Sequence, residues 1–165
     1  MSIEWLTQKV PGFAALPAQD REAIIAFSFL WSLFEAQLMG NSANAVKIAD
    51  AVDQWDAAAM LGAEHYDEDL AYFRNRYFQN GKFTPHFDHL NLRKADMPDL
   101  VVDVISGSND GARDRVLAVL LVVWRFRNNL FHGEKWAYWL GGQFDNFNHA
   151  NAVLMRVLGR HAGLH

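Results

Sequence analysis

Cysteine is missing from this chain altogether. That absence excludes disulfides, thiolate metal sites and cysteine nucleophiles together, and it suits a reducing cytosol. Proline is scarce, 4 in 165 residues, and Pro11 and Pro17 both fall near the N-terminus, so little in the body of the chain interrupts a helix. Long apolar runs are also missing. The longest, 116–124, is fenced by Arg115 and Arg125 and falls far short of the roughly 20 residues that cross a bilayer. It reads as a buried core helix, and no membrane partner is expected. The opening residues MSIEWL lack a basic stretch followed by an apolar one, so no secretion signal is expected and the chain is read as soluble and cytoplasmic. Basic charge is in deficit, with Lys+Arg 15 against Asp+Glu 19 and a net charge of −4. A general nucleic-acid coat would need a basic face to displace counterions. A few cations converging on one cleft can still hold a phosphate locally.

What is present is material for a core. Hydrophobic residues make up 51% and charged residues 21% of the chain, an ordinary globular balance that excludes disorder. The length suits one domain over 1–165, with residues 1–19 as an N-terminal arm whose Trp5, Leu6, Val10, Phe13 and Leu16 pack on the body. The apolar spacing predicts helices over about 20–39, 42–60, 67–80, 99–105, 112–131 and 144–160. Asp20 is the expected N-cap of the first, Gly40-Asn41 its stop, Gly81 and Gly133 further stops, and Ser106-Gly107-Ser108-Asn109-Asp110-Gly111 a turn cluster. The first of these helices is apolar around most of its circumference, which predicts neighbours on several sides. Residues 82–98, polar and holding two prolines, read as irregular. No segment alternates with a period of two over a useful length, so a sheet is not expected. The fold class is all-α, an up-and-down bundle of four to five main helices.

The end of the 112–131 helix carries the chemistry. A helix that begins as an apolar run closes on Trp124-Arg125-Phe126-Arg127-Asn128-Asn129-Leu130-Phe131-His132-Gly133. Cutting RNA without a metal requires a group that takes the 2′-hydroxyl proton near neutral pH, a task suited to imidazole. It also requires a fixed cation for the charge that builds on phosphorus, and a guanidinium supplies two parallel bonds to phosphate oxygens. Arg127 and His132 have these types, and Asn128 can orient a phosphate oxygen or His132. Five residues correspond to about 140° on an ideal helix, so Arg127 and His132 would not share one face. Either the helix ends before His132 or two chains pool their motifs. The structural alternative is plain: Arg and His in a last turn face the helix dipole, and Gly133 caps it.

The same residues resemble a known family. Arg127, Asn128 and His132, in the wording RNNLFHG, resemble the Arg-polar…His motif of HEPN domains, and the motif's late position in an all-helical chain with one helix after it is similar as well. The resemblance implies a small HEPN-like helical bundle and, for many members, a metal-independent endoribonuclease that acts as a symmetric homodimer in toxin or defence systems. It implies an RNA substrate, a protein antitoxin as a further partner, no cofactor, and 2′,3′-cyclic phosphate and 5′-hydroxyl products. Other members are catalytically inactive modules that bind RNA or nucleotides, or serve assembly. In some members a Tyr two residues after the motif His is a modification target. Here that position is Glu134 and the nearest Tyr is Tyr138, which speaks against that mode of control.

Glu35 is the remaining candidate. With Ser28, Ser32 and Arg21 it forms a polar stripe on the first long helix, read either as its solvent edge or as a carboxylate that holds Arg127 or His132. The pair His86 and His89 has weak metal-ligand character, and His149, His161 and His165 show no ligand pattern. Arg74 and Arg76, interleaved with Tyr72, Phe73, Tyr77 and Phe78, have the cation–aromatic pattern that RNA binders use, but the favoured reading is the charged outer face of a core helix.

Overall fold

The apolar run that the sequence fences with arginines is buried without a break from Val116 to Val123. The helix that carries it, α7 (Ala112–Phe131), is therefore enclosed on all sides over this stretch and forms the axis of the molecule. The computed structural model describes residues 2–10, 12–131 and 142–164. Over these it is an all-α bundle: α1 (Ser2–Lys9), α2 (Ala18–Leu38), α3 (Ala45–Ala57), α4 (Asp67–Tyr77), α5 (Pro85–Asp88), α6 (Pro98–Ser106), α7 and α8 (Phe144–His161). The helices α3 and α6 lie closest along α7, and α4 and α8 complete its surroundings. The helix α2 packs chiefly on α8. They run antiparallel, because Phe27 meets Phe147 with ring centroids 5.2 Å apart while, one turn earlier on α2 and one turn later on α8, Asn151 Nδ2 donates to the Ala23 carbonyl at 2.9 Å. No described helix is long and apolar enough to cross a membrane.

Several boundaries move for local physical reasons. The Asn44 side chain accepts the Lys47 N–H at 2.9 Å and caps α3, so that helix starts at Ala45, not near 42. Pro17, not Asp20, sits at the N-cap of α2, and Asp20 is buried within its first turn. The helix α4 stops at Tyr77 because Asn80 (φ 52°) and Gly81 (φ 75°) form a tight turn that pairs Phe78 with Phe83 and Gln79 with Lys82. Both turn residues adopt the left-handed conformation that an Asn-Gly hairpin turn requires. This two-stranded hairpin departs from the expectation of no sheet, since it is too short to show any alternation. The region 82–98 is partly ordered into α5 and a 3₁₀ turn at Lys94–Asp96.

One expectation about covering fails and another holds in part. The helix α2 is not enclosed: Ala23, Phe27, Trp31 and Phe34 form a one-sided buried stripe, while Phe29 is 74% exposed and Ile25 lies on the same outer face one turn before it. The N-terminal arm is helical over α1, with no residue of that helix buried. Phe13 and Leu16 are buried and dock the arm, Leu6 and Val10 pack partly buried against the core as expected, and Trp5 remains exposed.

The far end of α8 carries a titratable contact. The His161 ring stacks on Trp55 at 3.9 Å and 6°, and among the described residues neither of its buried nitrogens has a hydrogen-bond partner. Burial, helped by the nearby charge of Arg160, pulls the His161 pKa down to about 4. An unfolded histidine titrates near 6.5, so the folded state loses stability as pH falls from 6.5 towards 4, where only the unfolded chain takes up the proton. Below that window the loss is complete. Urea midpoints at pH 7.5 and pH 4.5 should therefore differ more for the wild type than for His161→Phe, which keeps the stack without a titrating group. Equal pH dependence in the two proteins would refute the assignment.

Candidate functional site

The last turns of α7 have two different faces. Arg125 is 2% exposed, and its Nη1 stands 3.0 Å from Asp96 Oδ2, whose side chain is equally buried. Its Nε donates to the Leu90 carbonyl at 2.9 Å. One turn later on the same face, Asn129 Nδ2 donates to the carbonyls of His89 at 2.9 Å and Leu90 at 3.3 Å. Asp96 is itself held, because its Oδ2 also accepts the Arg93 N–H at 2.8 Å. Burial draws the pKa of Arg125 below the usual arginine range, and the Asp96 charge opposes that shift. Together these contacts tie the segment 89–96 to the motif end of α7.

Arg127 lies two residues past Arg125, about 200° around the helix. It is half-buried, and its surroundings are of another kind. Its Nη1 donates to Asn128 Oδ1 at 3.2 Å, and its guanidinium carbon stands 5.4 Å from the Phe131 ring centroid. Among the described residues its Nε has no hydrogen-bond partner. The other three arginines of α7 all hold carboxylates: Arg113 binds Asp53 and Asp114, Arg115 binds Asp67, and Arg125 binds Asp96. Among the described residues Arg127 is the one arginine of this helix without an acidic partner. Asn128 is buried at 8% exposure with its amide oxygen turned to Arg127.

The structure thus brings Arg127 and Asn128 together. His132 lies outside the described residues, as do Glu134 and Tyr138. The helix persists through Phe131, so the chain does not leave helical geometry between Arg127 and that residue. Glu35 has a contact that neither reading of it named. Its Oε1 accepts the Ala43 N–H at 3.0 Å and its carbonyl accepts from Met39 and Asn41, so the carboxylate fastens the α2–α3 connection. Among the described residues it forms no ion pair with Arg127. The polar stripe beside it is half-buried at Ser28, whose hydroxyl donates to the Ile24 carbonyl at 3.0 Å.

Other groups that spacing cannot reveal become visible. Asp69, 1% exposed, accepts from His149 Nδ1 at 2.8 Å and from Arg156, while the His149 ring stacks on Tyr72 at 4.1 Å. His149 is thus oriented by a buried carboxylate 80 residues away in sequence. Arg74 is spent on the Val104 carbonyl at 2.9 Å and on Asp110 at 3.0 Å, which fits its reading as a structural residue. His86 and His89 stand with ring centroids 6.1 Å apart, but among the described residues no group of three or more acidic or histidine side chains is placed to hold a metal ion.

Compared with family models, curated proteins and solved structures, this chain matches none. Function is therefore to be inferred from the chemistry of the site.

The buried Arg125–Asp96 pair is open to a direct test. Removing one partner of a buried ion pair leaves an uncompensated charge and costs about 3–5 kcal/mol, whereas replacing both with apolar groups of similar volume is close to neutral. Asp96→Ala should destabilise the protein by that amount in urea unfolding, and Arg125→Met combined with Asp96→Leu should recover most of it. A loss for Asp96→Ala no larger than a surface change, about 0.5 kcal/mol, would show that the pair does not hold the loop.

Proposed function

We propose that this protein is a metal-independent endoribonuclease of the HEPN kind, of toxin or defence type, acting on RNA as a homodimer with a protein antitoxin as a further partner. The observation that carries the reading is Arg127: a half-buried guanidinium in an RN…H motif that, unlike its three neighbours on α7, holds no carboxylate among the described residues. A guanidinium left with a weak amide contact and an aromatic ring keeps donors for a phosphate.

On this reading Arg127 binds two oxygens of the scissile phosphate and stabilises the charge that develops there. Asn128, bonded to Arg127, fixes its orientation. His132 takes the proton from the 2′-hydroxyl, the 2′-oxygen attacks phosphorus, and the bond from phosphorus to the 5′-oxygen breaks as that oxygen takes up a proton from water. The products are a 2′,3′-cyclic phosphate and a 5′-hydroxyl. Glu35 serves the reaction indirectly, by setting the α2–α3 connection. The homodimer is supported by the outer face of α2, where Ile25 and Phe29 are exposed in the single chain, and by the angular separation of Arg127 and His132 on an ideal helix, which a second motif would resolve.

The test is incubation of wild type, Arg127→Ala and His132→Ala with mixed cellular RNA in excess EDTA, with fragment ends read by mass spectrometry. Wild type should leave cyclic phosphate and 5′-hydroxyl ends. Arg127→Ala should be slower by about 10²–10³-fold, as when one donor to a developing oxyanion is removed. His132→Ala should be slower by about 10²–10⁴-fold, the usual worth of a positioned acid–base group. Folded wild-type protein that leaves RNA intact would overturn the proposal.

A further inference from the structure

Phe131 is anomalous for a residue on the central helix. It is 56% exposed, whereas Leu130 beside it and Phe126 five residues earlier are buried. It stands one turn after Arg127 on the same face of α7, with its ring 5.4 Å from the guanidinium. Trp124, half-buried, precedes Arg127 on that face by three residues. The order along the face is therefore an aromatic ring, an arginine that holds no carboxylate among the described residues, and a second, exposed aromatic ring.

That spacing has a chemical meaning for a nucleic acid. In a single strand each phosphate is followed by an unpaired base, whose flat apolar face stacks on aromatic side chains, and recognition of single-stranded RNA combines such stacking with arginine contacts. A duplex keeps its bases stacked inside and offers none to an exposed ring. Resting on the ribonuclease reading above, we infer that Phe131 is the base platform of this site. It stacks the nucleobase adjoining the phosphate held by Arg127 and so makes single-stranded RNA the substrate class. Phe131 is a positioning and specificity residue and takes no part in proton transfer. Its exposure places a hydrophobic ring in water in the free protein, a modest cost that stacking a base offsets.

The test measures binding apart from cleavage. His132→Ala serves as the background, alone and combined with Phe131→Trp, Phe131→Leu or Phe131→Ala. Affinity for a short single-stranded oligoribonucleotide, and for the same sequence as a duplex, is read by fluorescence anisotropy. The background protein and its Phe131→Trp form should bind the single strand alike, and the indole introduced by Phe131→Trp should lose emission as it stacks. Phe131→Leu and Phe131→Ala should weaken binding roughly 5- to 150-fold, the range for losing one base–aromatic stack, with little change for the duplex. Leucine retains the apolar bulk that a protein contact would need. Equal binding with Phe131 intact and with Phe131→Leu, or a change in sedimentation with Phe131→Ala, would overturn the inference and make Phe131 a contact between chains. Wild-type protein that binds single strands through Phe131 but leaves them uncut would sink the ribonuclease reading while upholding the platform. Cleavage by wild type with no loss of affinity in Phe131→Ala would do the reverse.

Discussion

The rotation of the last turns of α7 depends on one buried ion pair. Arg125 and Asp96, each 2% exposed, give up solvation that only their mutual contact and good hydrogen bonding return. The pair therefore holds in one geometry, with the second Asp96 bond going to Arg93 and the Arg125 Nε going to Leu90. Asn129 repeats the anchorage a turn later. With this face of α7 fastened to the 89–96 segment, the opposite face is obliged to carry Arg127 and Phe131 outward. A side chain that must meet a phosphate benefits from a support that cannot turn. The anchoring is thus a structural device whose consequence appears on the other side of the helix.

Most of the helical architecture is legible in the sequence, because period and length are local properties. The span of α7 can be read from an apolar run between charged ends, and α8 from its spacing after Gly142. What cannot be read is which helix is central. The chain has two strongly apolar helices, and α2 looks as enclosed as α7 by composition. Burial is decided by neighbours, and α8 covers only the Ala23–Phe34 stripe of α2, leaving Phe29 outside. The Phe78–Phe83 hairpin escapes for a different reason. Its Asn80-Gly81 turn is a strong local signal, but strands of two residues carry no period to confirm it.

The site divides in the same way. Arg127 and Asn128 stand out in sequence because a core helix seldom ends on such groups, and their mutual bond follows from adjacency. The partners of the other arginines are distant: Asp96 is separated from Arg125 by a helix and a turn, and Asp69 from His149 by 80 residues. Without them, every arginine on α7 looks equally available. The contrast that distinguishes Arg127, no carboxylate partner among the described residues, exists only once its neighbours' carboxylates are placed. Glu35 shows the opposite hazard. Its stripe with Ser28 and Ser32 suggests a reach towards the motif, whereas the backbone N–H of Ala43, eight residues on, takes its carboxylate.

An acidic chain constrains how it can hold RNA at all. With a net charge of −4, the chain as a whole does not attract a polyanion at long range, which disfavours binding through many phosphate contacts that release counterions. Affinity must be concentrated in a few contacts that do not scale with charge. On the proposed reading a base stacked on Phe131 is such a contact, since its strength comes from apolar area and dispersion and is little screened by salt. One phosphate on Arg127 then adds an electrostatic term of unit size. On the proposed reading the salt dependence of binding is accordingly shallow, close to that of a single neutralised phosphate, with a slope of about −0.7 for a single strand. A basic groove would give a slope several times steeper, so the charge balance of the whole chain and the pairing of one aromatic ring with one arginine point to the same mode of recognition.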